Sequence, residues 1–175
     1  MAEKIFILGN SGTGKSTSLR NLNPEDTFIL QGVNKKLPFK GWKNKYTKIS
    51  KENPKGNLSL SKNYDNLRKQ LVYIHNKRKD IKIVIIDDSH YLMTGDFMNR
   101  ITEKVSKGGG FEKYDPIAYN FYSILKLVWS IREDIIVLTN DDGTKPCKAP
   151  LKMFEDLYID NNLKDVIDKI REYEN

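Results

Sequence analysis

The chain has 175 residues, of which 38% are hydrophobic and 10% aromatic, enough apolar material for one domain with its own core and too much for a disordered chain. Its 30 basic and 23 acidic residues leave a net charge of +7, a balance that admits an anionic partner such as nucleic acid. Every apolar run falls well short of the ~20 residues needed to span a bilayer, and a single cysteine, Cys147, excludes an internal disulfide and, with two histidines, the usual multi-cysteine zinc sites.

In chain order, Lys4–Leu8 reads as a short apolar strand ending at Gly9. The N-terminus runs directly into it without a cleavage site, so no signal peptide is expected and the protein is expected to be cytoplasmic. Ser16–Asn21 is expected to be helical and to close before Pro24, because proline disfavours helix in the residue before it. Thr27–Leu30 is a second strand-like run. From Gly32 to Ser61 the periodicity breaks down, and lysines interleave with Phe39, Trp42 and Tyr46. Helical spacing returns over Asn63–Lys79, with Leu67, Leu71 and Ile74 on one stripe and Tyr73 beside it. Ile81–Ile86 is the β-branched run of a central parallel strand. A glycine run, Gly108-Gly109-Gly110, marks a mobile loop; Ala118–Ile131 reads as a helix and Asp134–Leu138 as a strand. An amphipathic helix over about 162–174, carrying Val166, Ile167 and Ile170, closes the chain. Alternating strands and helices predict a three-layer α/β domain, one unit over 1–175, with a mostly parallel sheet and ligands outside the carboxyl ends of its strands.

The most specific signal is Gly9-Asn10-Ser11-Gly12-Thr13-Gly14-Lys15-Ser16, a complete G-x-x-x-x-G-K-[ST] between a strand and a helix. Its glycines let successive backbone N–H groups point at a phosphate chain, and the helix that follows is expected to add its positive end. Lys15 is expected to reach the β- and γ-phosphates, the Ser16 hydroxyl to ligate Mg2+, and Thr17 to support the α-phosphate end.

Ile83-Val84-Ile85-Ile86-Asp87-Asp88 is a strand running into two carboxylates. Asp87 fits the metal-holding acid of a phosphate-loop protein, and Asp88 the base that orients and deprotonates a water. His90 and His75 read as an ordinary loop imidazole and a helix-surface residue. The strand from Ile135 ends in Thr139-Asn140, and Asn140, with Thr139 second, is the candidate γ-phosphate sensor; Asp141-Asp142-Gly143 reads as a turn, with Lys145 and Lys148 within reach of a nucleotide.

The basic segment has two readings. Lysines and rings, with Lys40, Trp42, Lys43 and Lys45 as the candidates, are what a single-strand binder uses: charge for the backbone and aromatic faces for the bases. Alternatively Phe39 and Trp42 plug the segment onto the domain while the lysines face water. Only six of the 30 basic residues are arginine, which suits phosphate contact better than base readout. The Met93–Tyr114 segment, with Phe111 and Tyr114, is a second candidate for a nucleotide-driven contact.

With these motifs placed, the chain resembles phage-encoded RecA-like or AAA-type P-loop ATPases, small proteins of phage recombination and replication that include single-strand annealing ATPases. The resemblance is carried by Leu8–Leu22, by Leu37-Pro38-Phe39-Lys40-Gly41-Trp42, and by Ile85-Ile86-Asp87-Asp88-Ser89-His90-Tyr91-Leu92-Met93. It implies ATP and Mg2+ as ligands, a RecA-like core, oligomerisation or a protein partner, a role around single-stranded DNA, and residence in a host cytoplasm. From about Lys145 onward the chain departs from that pattern. The expected activity is slow ATP hydrolysis with Lys15, Asp88 and Asn140 in catalytic roles, helped by a finger residue for which Arg100 and Arg132 are available. A small-molecule or nucleotide kinase and a weakly hydrolysing, nucleotide-gated binding module are the alternatives.

Overall fold

The computed structural model describes residues 3–8, 12–100 and 114–141. Five strands form one sheet: β1 (Glu3–Leu8), β2 (Thr27–Gln31), β3 (Leu58–Leu60), β4 (Ile83–Asp87) and β5 (Ile136–Asp141). Their order is β1-β5-β4-β2-β3 and every pairing is parallel. All carboxyl ends therefore lie along one edge of the sheet, and β5 separates β1 from β4.

The β-branched runs predict burial on both faces, and the alternation along each strand shows how the faces divide. Phe28, Leu30, Val84, Ile86 and Val137 join one apolar cluster, whereas Ile29 and Ile85 join another. The first cluster is completed by α3 (Tyr64–Lys77), α4 (His90–Arg100) and α5 (Tyr114–Ser130). On α3 the buried residues Tyr64, Leu67, Leu71 and Ile74 recur at helical spacing, and the Asn63 side chain caps the start by accepting the Asn66 N–H at 2.9 Å. Arg68 donates to Asp65 and to Ser123, tying α3 to α5.

The second face is covered differently. Helix α1 (Lys15–Ser18) is a single turn that continues as a 3-10 turn over Leu19–Asn21, and α2 (Trp42–Lys45) is also one turn. Leu19, Leu37, Tyr46 and Leu58 pack on Ile29 and Ile85 between these pieces. The expected helix over Ser16–Asn21 is thus α-helical only at its start.

Other expectations shift by a few residues. The segment over 32–61 holds α2 and the edge strand β3, both too short to leave a periodic signature. α4 is a whole helix in what reads as a loop, and Met93 is buried in the core rather than available to a ligand. α5 starts four residues before Ala118, with Pro116 in the first turn, where the missing N–H costs nothing. β5 runs on through Asp141, so Asn140 lies inside the strand and Asp141 is no turn residue. The Gly108–Gly110 run, Phe111, Asp142, Gly143, Lys145, Lys148, Cys147 and the C-terminal helix lie outside the described residues. Among those described, no helix is long and apolar enough to cross a membrane.

Candidate functional site

Residues Gly12–Ser18 sit at the carboxyl edge of the sheet, following β1. Gly12 and Gly14 adopt φ values of 86° and 91°, a left-handed conformation that costs a side-chain-bearing residue strain and glycine almost none. The Gly14 carbonyl accepts the Ser18 N–H at 2.9 Å, which starts α1 directly after the loop. One helical turn sums few peptide dipoles, so α1 carries only a weak macrodipole toward the loop. Gly9, Asn10 and Ser11 lie outside the described residues.

The loop meets the acidic strand through one contact. The Ser16 hydroxyl donates to Asp87 Oδ1 at 2.9 Å across 71 positions of sequence. Asp87 closes β4, fully buried, level with Gln31 of β2. Asp88, the next residue, takes φ 58°, the one non-glycine residue at positive φ among those described. Such a conformation costs of order 1–3 kcal/mol and persists only where its surroundings enforce it. Gly32 makes room for it and anchors the residue before it: a Cβ there would stand 2.5 Å from the Asp88 carbonyl oxygen, and its N–H donates to the Asp87 carbonyl at 2.9 Å. The end of β2 thereby holds the end of β4.

Lys35, one of the interleaved lysines of the basic segment, joins this site. Its ammonium lies 3.3 Å from Ser16 Oγ and 3.3 Å from Asp87 Oδ2, and it forms a close ion pair with Asp88. The Gln31 side chain fixes its backbone by donating to the Lys35 carbonyl at 3.1 Å. Burial by itself lowers the lysine's proton affinity, but the hydrogen bond to Asp88 and the charges of Asp87 and Asp88 outweigh it, so its pKa is raised. In sequence Lys35 is one lysine among many; only its position after β2, beside β4, distinguishes it.

β5 ends between these two halves. Thr139 pairs with Ile86, and Asn140 pairs with Ile7 of β1, so the backbone of the candidate sensor enters the gap between the phosphate loop and Asp87.

The basic segment lies beside the site. Tyr46 is buried and donates to the Leu19 carbonyl at 3.4 Å, while Phe39 meets it edge-on at a centroid distance of 6.3 Å. Phe39 and Trp42 are partly buried against the second core, and Tyr46, fully buried there, is unavailable for stacking. Lys45, although exposed, donates to the Arg20 carbonyl at 3.3 Å, and the Lys43 ammonium lies 6.0 Å from the Trp42 ring centroid. Lys40 is exposed. An open groove of about 590 Å³ runs here, lined by Leu37, Phe39 and Trp42 together with Lys36, Lys40 and Lys43.

Several candidates are engaged elsewhere. His75 accepts the Arg132 backbone N–H at 3.1 Å and so joins α3 to the turn before β5, a structural task for what reads as a surface residue. His90 opens α4, its ring tilted by 38° to that of Tyr91 at a centroid distance of 4.1 Å. Arg132 pairs with Asp134 at 3.0 Å and donates to the Ile81 carbonyl, at the amino ends of the strands and away from the phosphate loop. Arg100 pairs with Asp96 at 2.9 Å.

A phosphate loop after the first strand, a carboxylate closing a second, and a strand inserted between them on an all-parallel sheet define the P-loop NTPase class with a RecA-like or AAA-type core. The AAA domain family model matches residues 1–148, and the chain belongs to that family. It is therefore a nucleotide-binding P-loop protein. No curated protein matches the chain.

Proposed function

We propose that the protein is an ATPase that binds Mg-ATP and couples its slow hydrolysis to contact with single-stranded DNA or a protein partner, as an oligomer in the host cytoplasm, in phage recombination or replication. The observation that carries the reading is the Ser16–Asp87 hydrogen bond, which joins the phosphate loop to the acidic strand end. Gly9–Thr17 would cradle the triphosphate, with Lys15 on the β- and γ-phosphates. Ser16 and Asp87 are oxygen donors of the kind a hard dication takes, and the ammonium between them occupies the place a cation would fill. Bound there, Mg2+ would neutralise phosphate charge.

Asp88, held at the mouth of the site, would take the proton of the attacking water. Asn140, carried by β5 between the phosphate loop and Asp87, would contact the γ-phosphate or that water. Arg132 is tied down at the far end of the sheet, so a finger residue would come from a neighbouring copy or a partner. Lys40, Trp42, Lys43 and Lys45 would face single-stranded DNA along the groove beside the site, with Trp42 contributing its exposed edge.

Phosphate release from ATP with Mg2+, with and without single-stranded DNA, tests this. Lys15→Ala abolishes release, and Asp88→Asn keeps ATP affinity while turnover falls about 100-fold or more. Equal turnover in Asp88→Asn removes Asp88 as the base. A rate near zero in the wild type with ATP still bound favours the nucleotide-gated module, a reading supported by the Lys35 clamp on both carboxylates. Against a kinase, Arg68, Arg78, Arg100 and Arg132 are all engaged by acidic partners rather than gathered at the site to grip an acceptor phosphate.

A further inference from the structure

We infer that Lys35 is a resident cation which the metal of the metal–nucleotide complex displaces, and that its release frees the segment leading into the Lys36–Asn44 groove. This rests on the Mg-ATP reading above and goes beyond it by naming what couples the site to the neighbouring surface.

The geometry is the first support. One ammonium touches Ser16, Asp87 and Asp88 together, the three groups that a phosphate-bound dication and its water would use. The two cations compete for that space: at about 4 Å a dication and an ammonium repel by ~2 kcal/mol in water and by ~8 kcal/mol at a protein surface. A buried carboxylate needs a counter-charge, and before the metal arrives Lys35 supplies it to Asp87.

Chain connectivity is the second support. Lys35 directly precedes the residues that line the groove, and one of them, Trp42, is half-buried in the small second core. A shift of Lys35 reaches that wall with no intervening element. ATP without metal leaves the ammonium on the carboxylates, so only the metal complex would throw the switch.

The test titrates Mg2+ into the full chain at fixed fluorescent ATP analogue. Lys35→Met lowers the Mg2+ concentration for half-maximal binding by about tenfold relative to wild type, and Lys35→Arg, which keeps the charge, stays within about twofold. In Trp129→Phe, where Trp42 is the only tryptophan, emission changes with Mg-ATP and not with ATP in excess chelator. A Mg2+ midpoint unmoved or raised by Lys35→Met overturns the inference, as does a Trp42 signal that is the same with and without metal. Failure of wild type and Lys35→Met alike to bind the analogue overturns the Mg-ATP reading itself, and the inference with it. The Trp42 arm needs no change at Lys35 and so decides the matter even if Lys35→Met does not fold.

Discussion

The two faces of the sheet are built on different physics. One is covered by three helices of 11 to 17 residues whose buried side chains form a single apolar cluster with the strands. The other carries one-turn helices and a lysine-rich loop, and its small apolar cluster is supplemented by polar anchors. Asn57 alone donates to the Pro24 carbonyl at 2.7 Å and the Lys45 carbonyl at 3.1 Å, and accepts the Thr47 N–H at 2.9 Å. Arg78 reaches over from the end of α3 to donate to the Gly56 carbonyl at 2.7 Å. Apolar burial is spread over many contacts and holds one arrangement, whereas a loop held by a few hydrogen bonds can be reset at lower cost. The phosphate loop, Lys35 and the groove all belong to the second kind.

That contrast can be broken by substitution. Phe121→Ala, in the helical cluster, should cost ~3–5 kcal/mol of unfolding free energy in urea titration; a loss under ~1 kcal/mol would erase the asymmetry. Leu37→Ala, in the second cluster, should cost only ~2 kcal/mol, at the low end for such truncations, because a loop can close over the gap. It should also weaken nucleotide binding, which Phe121→Ala should not do in the fraction that remains folded. A stability loss equal to that of Phe121→Ala would mean both faces are equally rigid.

Gly32→Ala sharpens the comparison at the joint between β2 and β4. The added Cβ meets backbone that cannot swing aside, so a cost of ~1–3 kcal/mol is expected, with a clear loss of ATP turnover as Asp88 is pushed from its position. Wild-type turnover in Gly32→Ala would show that the Asp88 backbone is not held from β2.

The smallest effect is electrostatic. The hydrogen bond from Arg78 holds the Asp80 carboxyl below its ordinary value of 3.8. A lowered folded-state pKa means stability that is present above that ordinary value and is lost as pH falls through the folded one. Asp80→Asn should therefore cost under ~1 kcal/mol at pH 7, since the carboxylate is half-exposed and screened, and the gap to wild type should close at strongly acid pH. A gap that persists there would assign the loss to packing.

Much of this was legible from residue order. The stripe of Leu67, Leu71 and Ile74 predicts α3 because a 14-residue helix repeats its pattern several times, and the run before Asp87 predicts a strand buried on both faces. The glycine spacing before Lys15-Ser16 marks the phosphate loop by itself, since the conformations required at Gly12 and Gly14 are local. Short elements failed for the same reason that long ones succeeded: four residues of α2 and three of β3 show less than one full period. α4 was missed because its apolar stripe is short, with only Leu92 and Met93 buried.

Sequence by itself determined the parallel α/β class, the phosphate loop and the acidic strand end, because each is written in neighbouring residues. Only the tertiary structure decided that β5 parts the loop from that strand, that Gly32 supports the strained Asp88, and which of two dozen lysines lies on the carboxylates. Those are meetings of residues far apart in the chain, as Ile7 beside Asn140 shows, set by strand order and register, and no local pattern encodes them.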